Sequence, residues 1–221
     1  MTIPEDPADV SVLARETGEQ MAARLELFTL QPERILYLGD RQDGCVDLLK
    51  KRYPSAEVIE TEELLIADQA IDLLFSNLSL PWCVELEKTL REWQRILRPE
   101  GLLMLTAFGP DTLQEIEERN VILPKWMDMH NLGDALAAAG FADPVMDVEY
   151  FTLTYREHKS LLRDLRQTRM MSEDATIRFV PEVTYEVIYG HAFGTESNVN
   201  YTADETGTVK IPLAHLQRRI P

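Results

Sequence analysis

Three short apolar runs, separated by helical patterns, constrain the fold of this chain more than any other feature. The runs are RILYLG at 34–39, IDLLFSN at 71–77 and GLLMLTAF at 101–108. Continuous apolar runs of this length are typical of strands buried on both faces of a parallel sheet. Helical patterns lie between them, from about Cys45 to Tyr53 and over ELEKTLREWQRIL at 85–97. This alternation predicts an α/β fold with a mostly parallel, doubly wound sheet.

The flanking regions complete a single predicted domain over residues 1–194. Residues 1–30 carry apolar positions at helical spacing and predict an N-terminal surface helix, residues 31–153 form the sheet core, and residues 154–194 supply a helix and a late strand. The polar segment 195–221 is expected to be weakly structured. The remaining predicted elements are a strand near AEVIE (56–60), a helix over NLGDALAAAGF (131–141) that stops at Gly140, a strand around VMDVEYFTLTY (145–155), a helix over REHKSLLRDLRQTRM (156–170), and an antiparallel hairpin strand over VTYEVIYGHAF (183–193).

Charge and composition exclude several classes of function. The 22 Lys and Arg residues face 38 Asp and Glu residues, and the resulting formal charge of −16 repels nucleic acid and anionic membranes. Cys45 and Cys83 are too few for a disulfide framework or a zinc site, and the four histidines lack metal-ligand spacing. No apolar stretch is long enough to span a bilayer, and the N-terminal residues lack the pattern of a signal peptide. We therefore expect a cytoplasmic protein that binds no metal.

The turn after the first strand reads ILYLGDRQDG, residues 35–44. An apolar strand that ends in Leu38-Gly39 commonly leads into a turn that binds a nucleotide or nucleoside. Such turns use further glycines, because the backbone adopts unusual dihedral angles and approaches the ligand closely. Here the next residues are Asp40, Arg41, Gln42 and Asp43, so the turn departs from a glycine-rich pattern.

Four runs together resemble the class I S-adenosylmethionine-dependent methyltransferases, and most closely the malonyl-acyl-carrier-protein O-methyltransferases of biotin synthesis. They are FSNLSLPWC (75–83), LREWQRILRPEGLLMLTAFGPDTL (90–113), MHNLGDALAAAGFADPVMDVE (129–149) and VTYEVIYGHAF (183–193). The resemblance implies a Rossmann-like fold, S-adenosylmethionine as cofactor, and the free carboxyl of a malonyl thioester on acyl carrier protein as methyl acceptor. No residue is assigned a catalytic role, because a carboxylate acceptor is already nucleophilic and transfer depends mainly on alignment.

The cofactor loop of that family has an acidic-x-Gly-x-Gly-x-Gly pattern, and this chain keeps one of its four positions. Tyr37, Gly39, Arg41 and Asp43 stand at those places, while Gly44 comes one residue late. Arg41 and Asp43 are expected to crowd the place of the cofactor's methionine portion. The carboxylates that follow Gly39 also oppose the carboxylate of that ligand.

The interval between Gly39 and Ile71 is too short for the family's two further strands. A β-α-β unit takes about 30 residues, so one strand and most of one helix are predicted to be missing. We expect the missing strand to be an edge strand, because its loss leaves the pairing inside the sheet unchanged.

Two alignments are open for Glu60. Paired beside the first strand, it has the spacing of an acid that binds ribose hydroxyls; aligned through ETEELLIADQAID, it resembles the acid near the adenine. A solvated acid at a strand end is the structural alternative to both.

The resemblance assigns the remaining site residues. The predicted cofactor-binding residues are Gly39, Asp40, Glu60, Asn77 and Trp82. Lys125 and Trp126 stand where the family has an arginine and an aromatic residue that face the malonyl carboxylate, although lysine lacks the arginine fork. Trp82 and the histidines also have ordinary structural interpretations, namely packing and internal hydrogen bonding.

A basic stripe marks the predicted helix near residue 160. Arg156, Lys159, Arg163 and Arg166 recur every three or four residues, which places them on one helix face. The stripe fits a docking surface for an acidic carrier protein, with Leu161, Leu162 and Leu165 turned to the core. The alternative is an ordinary charged helix face balanced by Glu157 and Asp164.

Two main functions of different classes follow. The first is a non-catalytic, methyltransferase-like protein with impaired S-adenosylmethionine binding that acts as a scaffold for acyl carrier protein or an intact homologue. The second is an active enzyme that methylates the free carboxyl of malonyl-acyl carrier protein with a rebuilt loop. Methylation of a different acceptor ranks below both.

Overall fold

The computed structural model describes residues 10–61, 65–80, 85–118, 121–122, 126–168 and 170–196. Helices and strands alternate along most of this length. In chain order they are α1 (Val10–Arg24), β1 (Arg34–Leu38), α2 (Cys45–Arg52), β2 (Glu57–Glu60), β3 (Ile71–Ser76), α3 (Leu86–Ile96), β4 (Leu97–Phe108), α4 (Met129–Ala139), β5 (Ala142–Thr154), α5 (His158–Gln167) and β6 (Glu182–Phe193).

The strands form one six-stranded sheet in the order β2-β1-β3-β4-β6-β5. The pairs β1–β2, β1–β3 and β3–β4 are parallel, as the continuous apolar runs predict. The last strand, β6, lies inside the sheet and runs antiparallel to both β4 and β5. The α/β fold with a mostly parallel sheet and an antiparallel hairpin is therefore confirmed.

Both faces of the sheet carry helices, because successive side chains of a strand point to opposite faces. Ile35 and Tyr37 of β1 pack in the cluster that includes side chains of α1, α2 and α5, whereas Leu36 packs in the cluster with α3 and α4. Along α3, Leu90, Trp93 and Ile96 are buried at intervals of three residues. The sheet is thus doubly wound.

Helix α1 buries the stripe predicted from the sequence. Leu13, Thr17, Met21 and Leu25 are all fully buried, and the helix packs against α2. The chain then passes through a short 3-10 helix at Leu25–Leu27. A polar side chain in the middle of an apolar stripe requires a hydrogen-bond partner, and Thr17 has one near the carboxyl end of β3.

Among the boundaries that differ from the sequence-based expectation, two change the interpretation of a motif. The RPEG run does not separate α3 from the next strand, because β4 begins at Leu97 and the run is accommodated as an irregularity between the pairings Ile71–Leu97 and Leu73–Leu102. Helix α5 begins at His158 rather than Arg156, so Arg156 precedes the helix and does not share its basic face. Extended backbone at Glu157 explains the later start.

The predicted shortening of the sheet is seen between β1 and β3. In this interval, apart from residues 62–64, which are not described, the chain forms one helix and one strand, and β2 is the edge of the sheet. The tail after residue 196 lies outside the described residues. None of the helices described is long and apolar enough to cross a membrane.

Replacing Trp93 with alanine should destabilise the fold by about 3–5 kcal/mol, since its side chain is only 1% exposed and its removal leaves a large cavity. Chemical denaturation followed by circular dichroism measures the change. Arg91→Ala on the exposed face of the same helix is the control, expected within about 0.5 kcal/mol of the parent. Equal midpoints for the two variants would contradict this packing.

Candidate functional site

The loop after β1 is shaped by internal hydrogen bonds. The Asp40 carboxylate accepts the backbone N–H of Gln42 at 2.9 Å, and the Asp40 carbonyl accepts the N–H of Asp43 at 3.1 Å. Gly44 then adopts the left-handed conformation with φ of 79° and caps the N-terminus of α2. The glycine that comes one residue late in the sequence therefore serves the start of the helix, where a residue with a side chain would be strained.

The side chain of Asp43 fills the interior of this loop. It is 1% exposed, and its carboxylate accepts three hydrogen bonds. The donors are the backbone N–H of Cys45 at 2.9 Å, the side-chain amide of Asn77 at 2.7 Å and the hydroxyl of Tyr37. A carboxylate removed from water is stable only with such partners, so these groups hold Asp43 inside the protein.

Tyr37 occupies the place of the family's first acid. Burial raises the pKa of its hydroxyl, with further contributions from Cys45 and Asp43, so the phenol keeps its proton and donates to Asp43. The ring also explains Gly39, because a Cβ atom there would lie 2.3 Å from the Tyr37 hydroxyl oxygen and 3.0 Å from the carbonyl oxygen of Asn77. Packing within the chain is thus sufficient reason for the one glycine kept from the pattern.

Asn77 joins the loop to the rest of the fold. Its side-chain N–H groups donate to Asp43 and, at 2.7 Å, to the carbonyl of Ala14 in α1. Its side-chain oxygen accepts from the hydroxyls of Thr17 at 3.0 Å and Thr106 at 2.7 Å. One buried amide therefore ties together α1, β3, β4 and the loop.

Arg41 does not crowd the loop interior, which corrects the expectation from the sequence. Its side chain is 78% exposed, and its Nε atom lies 3.8 Å from a carboxylate oxygen of Glu60. Arginine reaches solvent easily because of its long stem, whereas the short side chain of Asp43 stays inside. The crowding comes from Tyr37 and Asp43.

Glu60 lies at the end of the edge strand, beside β1. The parallel register pairs Tyr37 with Glu60, so the first of its two open alignments matches the structure. Its side chain is 32% exposed and faces Arg41. A guanidinium group therefore lies beside this acid, and its assignment to the ribose hydroxyls stays a prediction.

The structure describes three of the other predicted site residues and leaves two undescribed. Asp40 is exposed and stabilises the loop, Asn77 is buried in the network just described, and Trp126 is half-buried, with its ring centroid 6.4 Å from that of Phe108. Trp82 and Lys125 lie outside the described residues. Among the residues that the structure describes, no group of three or more His, Cys, Asp or Glu side chains is arranged to hold a metal ion.

The contributions of Tyr37, Thr17 and Thr106 to this network were missed by sequence reasoning. The available signal was polarity in apolar surroundings, since Thr17 interrupts a helix stripe and Thr106 interrupts the run GLLMLTAF. Nothing in the sequence pairs either threonine with Asn77. The buried side chains of Asp43 and Tyr37, rather than bare backbone, fill the space beside Gly39.

Comparisons with known proteins identify the class of fold. A family model described as a methyltransferase domain matches residues 20–105. Solved structures with the same fold include the YcgJ protein from Bacillus (TM-score 0.53, 10% identity, 82% of this chain and 99% of that chain) and a phosphoethanolamine N-methyltransferase of Haemonchus contortus in complex with S-adenosyl-L-methionine (TM-score 0.53, 14% identity, 86% and 58%). The chain therefore has the fold of the class I methyltransferases.

Curated relatives narrow the assignment. The malonyl-[acyl-carrier protein] O-methyltransferase of Gallionella capsiferriformans is 34% identical over 86% of this chain and 87% of its own length. The corresponding protein of Halorhodospira halophila is 32% identical over 96% and 90%. This chain belongs to the malonyl-[acyl-carrier protein] O-methyltransferase family. The first alignment spans 252 residues, more than the 221 of this chain, so it includes segments that this chain lacks.

Replacing Asn77 with alanine should lower the free energy of unfolding by about 3 kcal/mol, because the buried carboxylate of Asp43 and the hydroxyls of Thr17 and Thr106 each lose a partner. Thermal and urea denaturation measure the loss. Asn131→Ala on the exposed part of α4 is the matched control and should cost about 1 kcal/mol or less. A small, equal effect of both changes would argue against the network.

Proposed function

We propose that this chain is a non-catalytic member of its family that does not bind S-adenosylmethionine in a methyl-transfer pose and that acts by binding a partner protein. The observation that carries the proposal is the buried Asp43 carboxylate in the loop after β1, held by Tyr37 and Asn77. To admit the cofactor into the space that it fills, this carboxylate would have to leave three hydrogen bonds. Moving such a group costs several kcal/mol.

Acyl carrier protein is the partner that family membership favours, with an intact homologue as the other proposed partner. The curated relatives are named for an acyl-carrier protein substrate. A protein that loses the cofactor site but keeps the surrounding fold can retain the surface that meets the substrate carrier. Binding would then hold or present the carrier without chemistry.

The proposed docking surface is the basic face of α5. Lys159 is highly exposed and pairs with Glu157 at 2.7 Å, and Arg163 is half-exposed, with its Nε atom 3.2 Å from buried Asp164. Arg166 donates to the carbonyl of Ala175 at 2.9 Å.

These cations lie on the part of α5 that faces away from the buried side chains of Leu161 and Leu165. Leu162 was expected in the core with them but is only partly buried. Arg156 adjoins this face without being part of the helix.

The second candidate function is an active O-methyltransferase that acts on the free carboxyl of malonyl-acyl carrier protein. Glu60 favours it, because a carboxylate at the end of β2, paired in register with Tyr37, has the position of a ribose-binding acid. In this case S-adenosylmethionine would be the cofactor. The chemistry itself needs no general base, since the acceptor is a carboxylate.

Calorimetric titration with S-adenosylmethionine and S-adenosylhomocysteine separates the two functions. We expect no binding heat at ligand concentrations of about 1 mM, which corresponds to a binding free energy weaker than about 4 kcal/mol. Micromolar binding would refute the non-catalytic proposal, and Glu60→Ala should then weaken that binding by about tenfold if Glu60 holds the ribose.

The triple change Tyr37→Asp, Arg41→Gly and Asp43→Gly restores the acidic-x-Gly-x-Gly-x-Gly pattern and should create measurable affinity for S-adenosylhomocysteine. The matched control is Arg41→Gly alone, which leaves Tyr37 and Asp43 in place and should not bind. Circular dichroism checks that both variants fold. Binding by the control variant would place the obstruction at Arg41 instead.

Capture of acyl carrier protein tests the docking surface. Lys159→Glu combined with Arg163→Glu should reduce capture by about tenfold or more, because two attractive charges become repulsive. Lys88→Glu with Arg91→Glu, on the exposed face of α3, makes the same change in net charge and should have little effect. Equal losses with both pairs would assign the effect to overall charge and remove α5 from the interface.

A further inference from the structure

An apolar patch with an aromatic centre lies on the face of the sheet that packs against α1, beside the β5 edge. Its three partly buried rings have centroids 5.0 Å apart between Phe28 and His191, and 6.1 Å from each of these to Phe193. Val145 lies directly opposite His191 in the pairing of β5 with β6, so both side chains are on the same face. Val145 is 52% exposed, and Leu27, which precedes Phe28 in the chain, is 78% exposed. Contiguous apolar surface of this kind is typical of an interaction site.

The described part of the chain ends beside this aromatic patch. Phe193 is the last residue of β6, and the next backbone N–H, that of Gly194, donates to the carbonyl of Gly101 at 2.8 Å. The last described residue, Glu196, comes three residues after Phe193. Residues 197–221 are therefore tethered next to the patch.

The composition of residues 197–221 changes at Thr208. The part before it is polar, whereas residues 209–221 read VKIPLAHLQRRIP. This segment has three cations and no carboxylate side chain, so it carries a formal charge of +3. Since the whole chain carries −16, the other 208 residues carry −19. The large aliphatic residues of the segment are Val209, Ile211, Leu213, Leu216 and Ile220.

The charged groups beside the aromatic patch do not oppose a cationic segment. Glu26 pairs with Arg52 at 3.8 Å. Asp147 pairs with Arg24 at 3.2 Å. These pairs are locally neutral, so the attraction comes from the acidic molecule as a whole. Burial lowers the pKa of His191, which keeps its ring uncharged at neutral pH.

We propose that residues 209–221 of the same chain dock on the aromatic patch, with their aliphatic side chains against Phe28, Val145 and His191. The connecting residues 197–208 span at most about 40 Å when extended, which is ample because the patch begins at Phe193. A short tether gives an effective concentration of about 1 mM or more, so a weak intrinsic affinity is enough for docking. This contact does not depend on the proposed function, which concerns the loop after β1 and α5.

Paramagnetic relaxation in the full chain tests the docking. A nitroxide is attached at Ala214→Cys in a Cys83→Ser background, while Cys45 is buried and stays unlabelled. The amide signals of Val145 and His191 should then broaden. Circular dichroism checks that each labelled variant folds.

Neutral substitutions in the aromatic patch should remove the broadening. Leu27→Asn with Val145→Thr should lower the equilibrium constant for docking by about tenfold or more, because two exposed aliphatic contacts are lost. Leu65→Asn is the matched control, at a residue that is 91% exposed and lies outside the patch, and should leave the broadening unchanged.

A mixed sample identifies which chain supplies the segment. It combines isotope-labelled chains that lack the nitroxide with unlabelled chains that carry it. Absence of broadening in the mixture supports docking within one chain, whereas broadening as strong as in the first sample would assign the segment to a second copy and overturn the proposal. Broadening centred away from the patch, no broadening at all, or equal effects of the patch and control variants would also overturn it.

Discussion

The burial of one carboxylate, that of Asp43, governs the region where a methyltransferase holds its cofactor. A charged group in the interior is stable only when hydrogen bonds replace the water it has lost. Tyr37, Asn77 and the N–H of Cys45 provide them, and Asn77 in turn requires partners from α1 and β4. The positions of α1, the loop and three strand ends therefore depend on each other. The same requirement keeps the Tyr37 ring against Gly39.

The edge strand β2 pairs with β1, and the loop that Asp43 fills follows β1 directly. Because β2 is the edge strand of the described sheet, Glu60 lies at the outer edge of the sheet, where Arg41 reaches it from the loop. An edge strand can be lost without breaking the pairing inside the sheet, which explains why β1, β3 and β4 keep their parallel register. The loss thus changes the site while leaving the scaffold intact.

Helix α5 carries three cations on one face, each close to a carboxylate or a backbone carbonyl. The molecule as a whole is strongly acidic, yet Lys159, Arg163 and Arg166 surround a depression and two of them are fixed by internal hydrogen bonds. Long-range repulsion slows the approach of an acidic partner, whereas contacts at short range are set by the local groups.

The sequence by itself determined the strand and helix order, the missing edge strand and the family, because apolar periodicity and long matching runs are local properties of the chain. It also showed that the loop after β1 keeps only one glycine of the family's pattern, Gly39. It could not show that Arg41 turns outward while Asp43 turns inward, since both are simply charged residues in a turn. That choice depends on Tyr37 and Asn77, which approach Asp43 only when the sheet has formed. The tertiary structure therefore decided what fills the site, because buried hydrogen-bond partners come from segments far apart in the chain.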